Sequence, residues 1–239
     1  MLWLGAKTST RSIGTINPDE TQALLGAIMQ KALLSLCDYS LNWSRPFRDA
    51  GWLVTAVDTG HPAGYSVKDG ILCVGVNILG DSLLMRQAVY APMFNAVLAA
   101  PPCTCFCRPS ARWWKRQDSD GSTQHDVALF RECIRICMMA TDWWALENPP
   151  GRHRKIIPEL GAPAWQWQPF QYGDPWIKQT YIWGTAMKPE PSNVVTPPPT
   201  RRTPNGKTQG TIAFMSSSWK RQRERTPAGF AKAFFEANH

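Results

Sequence analysis

Long apolar runs are missing from this chain. Across its 239 residues no stretch approaches the roughly 20 apolar residues that a membrane-spanning helix needs. The opening segment, MLWLGAKTSTRS, also lacks the apolar core of a signal peptide. We therefore expect a cytoplasmic protein with no membrane partner.

The chain has fewer acidic than basic residues. The chain has 18 Asp and Glu against 26 Lys and Arg, which gives a formal net charge of +8. Hydrophobic residues make up 44% of the sequence, which excludes a disordered chain and indicates a globular one. The basic excess favours a polyanionic partner, nucleic acid first, although a basic protein without such a partner has the same composition.

Cysteine pairs free to bind a metal are scarce as well, because Cys133 and Cys137 lie on a predicted helix face that looks like core. Structural zinc sites usually space cysteines about two to four residues apart and repeat the pair elsewhere. Here three of the seven cysteines alternate in one segment, VLAAPPCTCFC, residues 97–107. Cys103, Cys105 and Cys107 therefore have three candidate roles: metal ligands, small buried residues or, for Cys103, a nucleophile at the mouth of a pocket. The spacing favours a chain without a metal.

Strand-like and helix-like runs alternate along the sequence. Buried apolar runs predict strands, and apolar residues at helical spacing behind an N-cap such as Asn17 or Thr226 predict helices. Strands are predicted within 32–37, 52–58, 70–81, 94–100, 142–148 and 179–185, and helices over 17–30, 44–51, 123–141 and 226–238. This alternation predicts an α/β fold with a parallel sheet and helices on both of its faces.

Polar side chains fall at the predicted ends of five strands. They are Asp38, Asp58, Asp81, Cys103 and Glu147. Open α/β sheets bind ligands outside the carboxyl ends of their strands, so these residues are expected to share one binding edge. For each acid the alternative is a purely stabilising role as the cap of a following helix.

A thiol and a carboxyl group on one edge suit covalent catalysis on a pyrimidine. A thiolate that adds to carbon 6 of cytosine makes carbon 5 nucleophilic, and a carboxylic acid at nitrogen 3 neutralises the charge that develops. Cys103 and Glu147 have the required groups. Because the thiolate is the reactive form, we expect Arg108 and Arg112 to lower the thiol pKa.

Two motifs resemble those of a known family. AAPPCT (99–104) and ALENP (145–149) resemble the nucleophile and Glu-Asn motifs of the S-adenosylmethionine-dependent DNA cytosine-5 methyltransferases, and in particular their short phage-type members. The resemblance implies a Rossmann-like methyltransferase sheet, S-adenosylmethionine as cofactor, and the cytoplasm of a bacterium or phage-infected cell. It also implies that Cys103 is the attacking thiol and that Glu147 holds nitrogen 3 and the exocyclic amine.

The resemblance extends to binding residues. It implies a set that binds the cofactor: Asp38, Tyr39, Ser40, Asn42, Trp43, Asp58, Asp81 and Pro101. The resemblance, together with the basic segments, also implies that the protein binds DNA, as a duplex with a flipped base or as a single strand. The residues implied to bind it are Pro102, Asn148, Arg112, Lys178, Thr180, Arg221, Arg223 and Arg225. The cofactor loop departs from the family pattern, because Leu41 stands where short relatives tend to keep a glycine.

Composition divides the chain into four segments: 1–30, 31–185, 186–225 and 226–239. The first is an N-terminal extension and helix, and the resemblance implies that the second is a catalytic, methyltransferase-like domain. The third is rich in Pro, Thr and basic residues and is too short for a second reading domain, so we expect reduced sequence recognition. The fourth is a helix that returns to the catalytic domain. The same chemistry on RNA or a free nucleotide, and a catalytically degenerate nucleic-acid-binding module, remain alternatives.

Overall fold

The computed structural model describes Asn17 and residues 30–90, 93–196, 201–202, 208–209 and 225–239. The chain divides into two units, Met1–Gln30 and Lys31–His239. Apart from its two end residues, the helix predicted over 17–30 lies outside the described part. The helices and strands of the described residues all belong to the second unit.

Eight strands of the second unit form one sheet. They are β1 (Ala32–Leu36), β2 (Leu53–Val57), β3 (Gly64–Lys68), β4 (Ile71–Gly75), β5 (Ala96–Ala99), β6 (Trp143–Asn148), β7 (Trp165–Trp167) and β8 (Thr180–Gly184). Their spatial order is β3-β4-β2-β1-β5-β6-β8-β7. A separate antiparallel pair joins β9 (Arg201–Arg202) to β10 (Thr208–Gln209).

The sheet is mixed rather than wholly parallel as predicted. Neighbours among β4, β2, β1, β5 and β6 pair in parallel, whereas β3 is antiparallel to β4 and β8 is antiparallel to both β6 and β7. At one edge Asp69 and Gly70 have φ of 51° and 73° and turn β3 directly into β4. Positive φ at both turn residues fits a two-residue hairpin, which forces antiparallel pairing.

The order of the parallel strands reverses between β1 and β5. Along β4-β2-β1-β5-β6 the chain order runs third, second, first, fourth, fifth, which is the doubly wound order. Its direction reverses between β1 and β5, and the carboxyl edge at that reversal is where such sheets bind ligands. Asp38, the loop that carries Cys103 and the end of β6 meet at this edge.

Helices cover both faces of the sheet, as predicted. They are α1 (Arg45–Asp49), α2 (Leu83–Met85), α3 (Trp114–Ser119), α4 (Ser122–Cys137), α5 (His153–Ile156) and α6 (Ala228–Asn238). Side chains of one strand alternate between two cores: Leu98 of β5 packs with α1 and α6, and its neighbour Val97 packs with α2 and α4. The α/β architecture is therefore confirmed.

The first part of segment 186–225 is tied to the sheet domain. Asn238 of α6 accepts a hydrogen bond from Met187 N at 2.7 Å and donates one to Met187 O at 3.1 Å. The hydroxyl of Tyr172 donates to Pro189 O at 2.9 Å. Thr226 was predicted to cap α6, but the residue at the cap position is Pro227, and it makes no side-chain cap. No helix among the described residues is long and apolar enough to cross a bilayer.

Candidate active site

Cys103 and Glu147 come from adjacent parallel strands. In the register of β5 and β6, Ala99 lies opposite Leu146, so the two strands end at the same level of the carboxyl edge. Cys103 lies four residues beyond the end of β5, whereas Glu147 is the second-last residue of β6 rather than a residue beyond it. The Glu147 carboxyl is close enough to raise the pKa of the Cys103 thiol, so the structure brings the two predicted groups together.

Asn148 ties the two loops to one another. Its Nδ2 donates to Pro101 O at 2.7 Å, and its Oδ1 lies 2.8 Å from Nε2 of His153. The side chain is 1% exposed and both of its polar atoms are occupied within the chain. This corrects its predicted role in substrate binding, because the Asn148 side chain acts by positioning the Pro101–Cys103 loop against the end of β6.

The segment after Asn148 packs closely on the cysteine loop. A Cβ added to Gly151 would lie 2.0 Å from Phe106 O, so only glycine permits this approach. The backbones of Cys107 and Gly151 form a β-bridge, and the ring of Phe106 stacks on that of His153 with centroids 4.9 Å apart. Backbone contacts on both sides thus hold the loop in place.

Arg152 is a structural residue that the sequence did not reveal. Its Nε donates to Cys105 O at 2.8 Å, and its guanidinium makes two hydrogen bonds to Asp118, at 2.8 and 2.7 Å. These hydrogen bonds lower the pKa of the Asp118 carboxyl to about 2. The guanidinium also lies over the Trp114 ring, 4.6 Å from its centroid. Arg152 therefore links the cysteine loop to α3, a pairing of distant segments that no local pattern signals.

The environment of Glu147 favours its protonated form. Its side chain is 14% exposed, and burial raises the pKa of its carboxyl above the ordinary value. Lys178 acts in the opposite direction, with Nζ 3.8 Å from Oε1 of Glu147. A carboxyl group that keeps its proton at higher pH can donate a hydrogen bond to a ring nitrogen.

The thiol of Cys103 is not activated by the predicted arginines. A hydrogen bond with the Cys107 thiol, burial and the nearby Glu147 raise the pKa of Cys103, and the cation that lowers it is Lys178. Arg108 is exposed, and the guanidinium of Arg112 lies over the Trp113 ring at 5.1 Å. The expected lowering by Arg108 and Arg112 is therefore wrong. A substrate contact by Arg112 stays a prediction.

The other two cysteines of the motif are buried. Cys105 is 2% exposed and Cys107 is 7% exposed, which fits their interpretation as small buried residues. Burial and the nearby Asp126 raise the pKa of Cys105 to about 12. Within the part of the chain that the structure describes, no three His, Cys, Asp or Glu side chains are grouped as a metal site requires.

Asp38 organises the loop that follows β1. Its Oδ2 accepts hydrogen bonds from the hydroxyls of Ser35 and Ser44, at 3.0 and 2.8 Å, and its Oδ1 accepts one from Leu41 N at 2.7 Å. The hydroxyl of Ser40 also donates to Oδ1, at 3.3 Å. Asp38 is 6% exposed, and burial raises the pKa of its carboxyl. The geometry gives it a part in shaping the predicted cofactor loop, and direct cofactor contact stays a prediction.

Leu41 has a backbone conformation that favours glycine. Its φ is 61°, in the left-handed region, and its side chain is fully buried in the core beside α1 and α6. This conformation costs a residue with a Cβ about 1–2 kcal/mol. Because the side chain lies in the core, it does not cover the outer surface of the loop.

The end of β2 forms a small polar cradle beside this loop. Oδ1 of Asp58 accepts a hydrogen bond from Gly60 N at 2.7 Å, and the Tyr39 ring, 58% exposed, lies 5.6 Å from the His61 ring. His61 is 6% exposed, and its Nε2 has no hydrogen-bond partner among the described residues. The Asp58 carboxylate and the exposed Tyr39 ring are groups that a nucleoside can engage, whereas Nε2 of His61 is buried beneath them.

Three residues that were predicted to bind the cofactor or DNA have side chains that contact other parts of the protein. Trp43 is 1% exposed and packs edge-on against Phe234, because its loop turns inward to the core. Thr180 is fully buried, and its hydroxyl donates to Lys178 O at 3.0 Å. Asp81 lies six residues beyond the end of β4, exposed, and forms an ion pair with Arg86 at 2.8 Å. The side chains of Trp43 and Thr180 are therefore buried away from a ligand, whereas Asp81 is exposed and its contact with the adenine stays a prediction.

The remaining predicted residues lie near the edge or outside the described part. Pro101 is buried and Pro102 is exposed on the loop before Cys103. Nδ2 of Asn42 donates to Thr226 O at 3.1 Å, which ties the loop after β1 to the start of α6. Arg225 is exposed. Arg221 and Arg223 lie outside the described residues.

No protein-family model matches the chain, and no curated protein matches it. The fold and the site define the class to which the protein belongs. It is an α/β protein with a mixed eight-stranded sheet, and a partly buried thiol and a carboxyl group lie at the carboxyl edge of that sheet.

Proposed function

We propose that this protein transfers a methyl group from S-adenosylmethionine to carbon 5 of cytosine in DNA, on a Rossmann-like methyltransferase fold. The observation that carries the proposal is the meeting of Cys103 and Glu147 at the ends of neighbouring parallel strands, next to the point where strand order reverses. The hydrogen bond from Asn148 to Pro101 O fixes the two loops relative to each other.

The proposed chemistry divides between the two groups. The thiolate of Cys103 adds to carbon 6 and forms a carbon–sulfur bond, while the electron pair of the carbon 5–carbon 6 double bond moves toward nitrogen 3. The carboxyl group of Glu147 donates its proton to nitrogen 3, and its raised pKa supports that role. Carbon 5 becomes enamine-like and nucleophilic as a result.

The residues at β1 and β2 support the cofactor assignment. S-adenosylmethionine supplies the methyl group when it is bound. Asp58 has one carboxylate oxygen that accepts no hydrogen bond from the described residues, and such an oxygen suits a ribose hydroxyl. The exposed Tyr39 ring lies beside it and offers a stacking face to an adenine ring.

DNA is the proposed partner because the chain is basic. A net charge of +8 and exposed cations such as Arg108, Arg112 and Arg225 suit a phosphate backbone. A base in a duplex has to leave its stack to reach Cys103, which costs a few kcal/mol and less in a single strand. The short segment 186–225 favours relaxed sequence recognition and keeps RNA or a free nucleotide as the second candidate substrate.

The direct test is mass spectrometry of nucleosides after incubation with S-adenosylmethionine. Duplex DNA, single-stranded DNA, RNA and a free cytidine nucleotide form the four arms. The proposal expects 5-methyl-2′-deoxycytidine from a DNA arm. Product only from RNA or from the nucleotide would support the second candidate. Calorimetric titration shows whether the cofactor binds, and a chain that binds nucleic acid but not the cofactor would be a binding module.

A further inference from the structure

The segment that leaves the cysteine loop carries an exposed tryptophan. A 3₁₀ turn, Arg108–Trp113, leads from Cys107 into α3. Trp113 is 48% exposed, whereas every other tryptophan of the described residues is buried or half-buried. A single exposed apolar side chain is common and indicates nothing alone. The support and the charge around the Trp113 ring are therefore what give it a meaning.

The backbone that presents Trp113 is held in place. Arg108 N donates a hydrogen bond to Pro150 O at 3.4 Å, which joins the start of the turn to the segment after β6. At its other end Trp114 lies under the guanidinium of Arg152, 4.6 Å from the ring centroid. Trp113 therefore lies at the surface on a supported turn that adjoins the loop of the proposed nucleophile.

The surroundings of this ring are basic. No acidic residue occurs within 108–117. The four basic residues of that range are all exposed: Arg108, Arg112, Lys115 and Arg116. Arg116 forms an ion pair with Asp120 at 3.6 Å, whereas the other three form no ion pair within the part of the chain that the structure describes. The guanidinium of Arg112 lies over the Trp113 ring, 5.1 Å from its centroid. An exposed ring among unpaired cations suits a strand of nucleic acid with unstacked bases.

We propose that Trp113 stacks on a base of single-stranded DNA while Arg108, Arg112 and Lys115 bind its phosphates, so that an unpaired strand is the preferred substrate. In a duplex the neighbours of each base cover both of its faces, so the ring gains a partner only where a base is unstacked. An unpaired cytosine also reaches Cys103 without the cost of leaving a duplex. The inference rests on the proposed role of DNA as substrate and selects one form of it.

The test is fluorescence anisotropy of the full chain with three labelled DNA ligands of equal length. They are a single strand, the same strand in a duplex, and a strand built of abasic sites, which keeps the phosphates but offers no base. The wild type should bind the ordinary single strand most tightly. Trp113→Ala should weaken that binding about 5- to 150-fold, the usual worth of one stacked base, and leave the other two ligands unaffected. Trp113→Phe should keep most of the affinity.

Two further variants separate stacking from charge and from general damage. Tyr65→Ala is the matched control, because Tyr65 is an aromatic residue 52% exposed on the edge strand β3, and its binding should stay that of the wild type. Arg112→Gln combined with Lys115→Gln should weaken binding to all three ligands and reduce the salt slope on the single strand by about 0.7 for each lost contact. Circular dichroism checks that each variant is folded.

Two results would overturn the proposal. One is a folded Trp113→Ala variant that binds the ordinary single strand as tightly as the wild type, or that loses as much affinity for the abasic strand. The other is a wild type that binds the duplex more tightly than the single strand. Binding is measured without S-adenosylmethionine and involves no methyl transfer, so these results and failure of the proposed function are distinguishable.

Discussion

Nδ2 of Asn148 donates a 2.7 Å hydrogen bond to the carbonyl oxygen of Pro101, so the last residue of β6 holds the loop that carries Cys103. His153 extends the chain of contacts, because Oδ1 of Asn148 lies 2.8 Å from its Nε2 and its ring stacks on Phe106. The spacing of the thiol and the carboxyl group therefore depends on buried polar contacts behind them.

The first prediction concerns His153 and the dependence of the protein's folding stability on pH. Burial lowers the pKa of His153 to about 4. Below its unfolded pKa of about 6.5 the unfolded chain binds the proton and the native chain does not, so stability falls as pH drops from about 6.5 to about 4. Between pH 7 and pH 5 this costs about 2 kcal/mol.

His153→Gln keeps a donor for Asn148 and removes the titration. Urea denaturation at the two pH values should therefore show a smaller loss for the variant than for the wild type. Asp38 and Glu147 have raised pKa values and act in the opposite direction, but they are present in both proteins. An equal loss in the two proteins would contradict the assigned state of His153.

The second prediction concerns Glu147. Glu147→Gln keeps the shape of the side chain but removes the proton that nitrogen 3 receives. Turnover should fall by about 100- to 10,000-fold, the usual worth of general acid–base help. Calorimetric titration should show unchanged cofactor binding. Glu159→Gln is the matched control, because Glu159 is exposed and forms an ion pair with Arg131 at 2.6 Å. Unchanged turnover in Glu147→Gln would rule out the acid role.

The third prediction concerns the strained loop. At an ordinary position glycine is less stable than alanine by about 0.5–1 kcal/mol. At Leu41, where φ is 61°, we expect the reverse, because alanine keeps the Cβ penalty of about 1–2 kcal/mol. Leu41→Ala and Leu41→Gly should both be less stable than the wild type by about 2–5 kcal/mol from lost burial. Urea denaturation of the two variants gives the comparison, and an alanine variant more stable than the glycine one would contradict it.

Strong local patterns predicted much of the fold. The run at 32–37 and the helical spacing at 123–141 appear as β1 (Ala32–Leu36) and α4 (Ser122–Cys137). The hairpin β3–β4 was not predicted, although Asp69–Gly70 is a recognised hairpin signal. The prediction that Asp81 lies at the end of a strand was wrong, because the apolar run at 70–81 continues beyond β4, which ends at Gly75. Periodicity cannot show where pairing with a neighbouring strand stops.

Local patterns also indicated some residues of the candidate site, and they missed those whose contacts join distant segments. Cys103 and Glu147 were predicted because each lies at the end of a strong apolar run. Lys178 was predicted only as a substrate contact, and its ion pair with Glu147 depends on the pairing of β8 with β6. The roles of Arg152 and His153 arise from contacts between a loop and distant segments, which no spacing in the sequence encodes.

The fourth prediction concerns the basic end of segment 186–225. Arg225 is exposed, and Arg221 and Arg223 precede it in sequence. Arginines that hold phosphates position a protein without reading bases. Replacing all three with Gln should weaken binding about equally on all DNA sequences and reduce the salt slope by about 0.9 for each lost contact. Arg131→Gln is the control. A loss confined to one sequence, measured by filter binding over a salt series, would show base reading instead.

The central claim is covalent attack by Cys103, and covalent trapping tests it most directly. DNA that contains 5-fluorocytosine should stay attached to the wild-type protein in the presence of S-adenosylmethionine, because the fluorine blocks the final elimination. Peptide mass spectrometry should place the adduct on Cys103. Cys103→Ala should give no adduct, while Cys105→Ala should give one. A protein that methylates cytosine at carbon 5 without such an adduct, or with the adduct on another residue, would contradict the account.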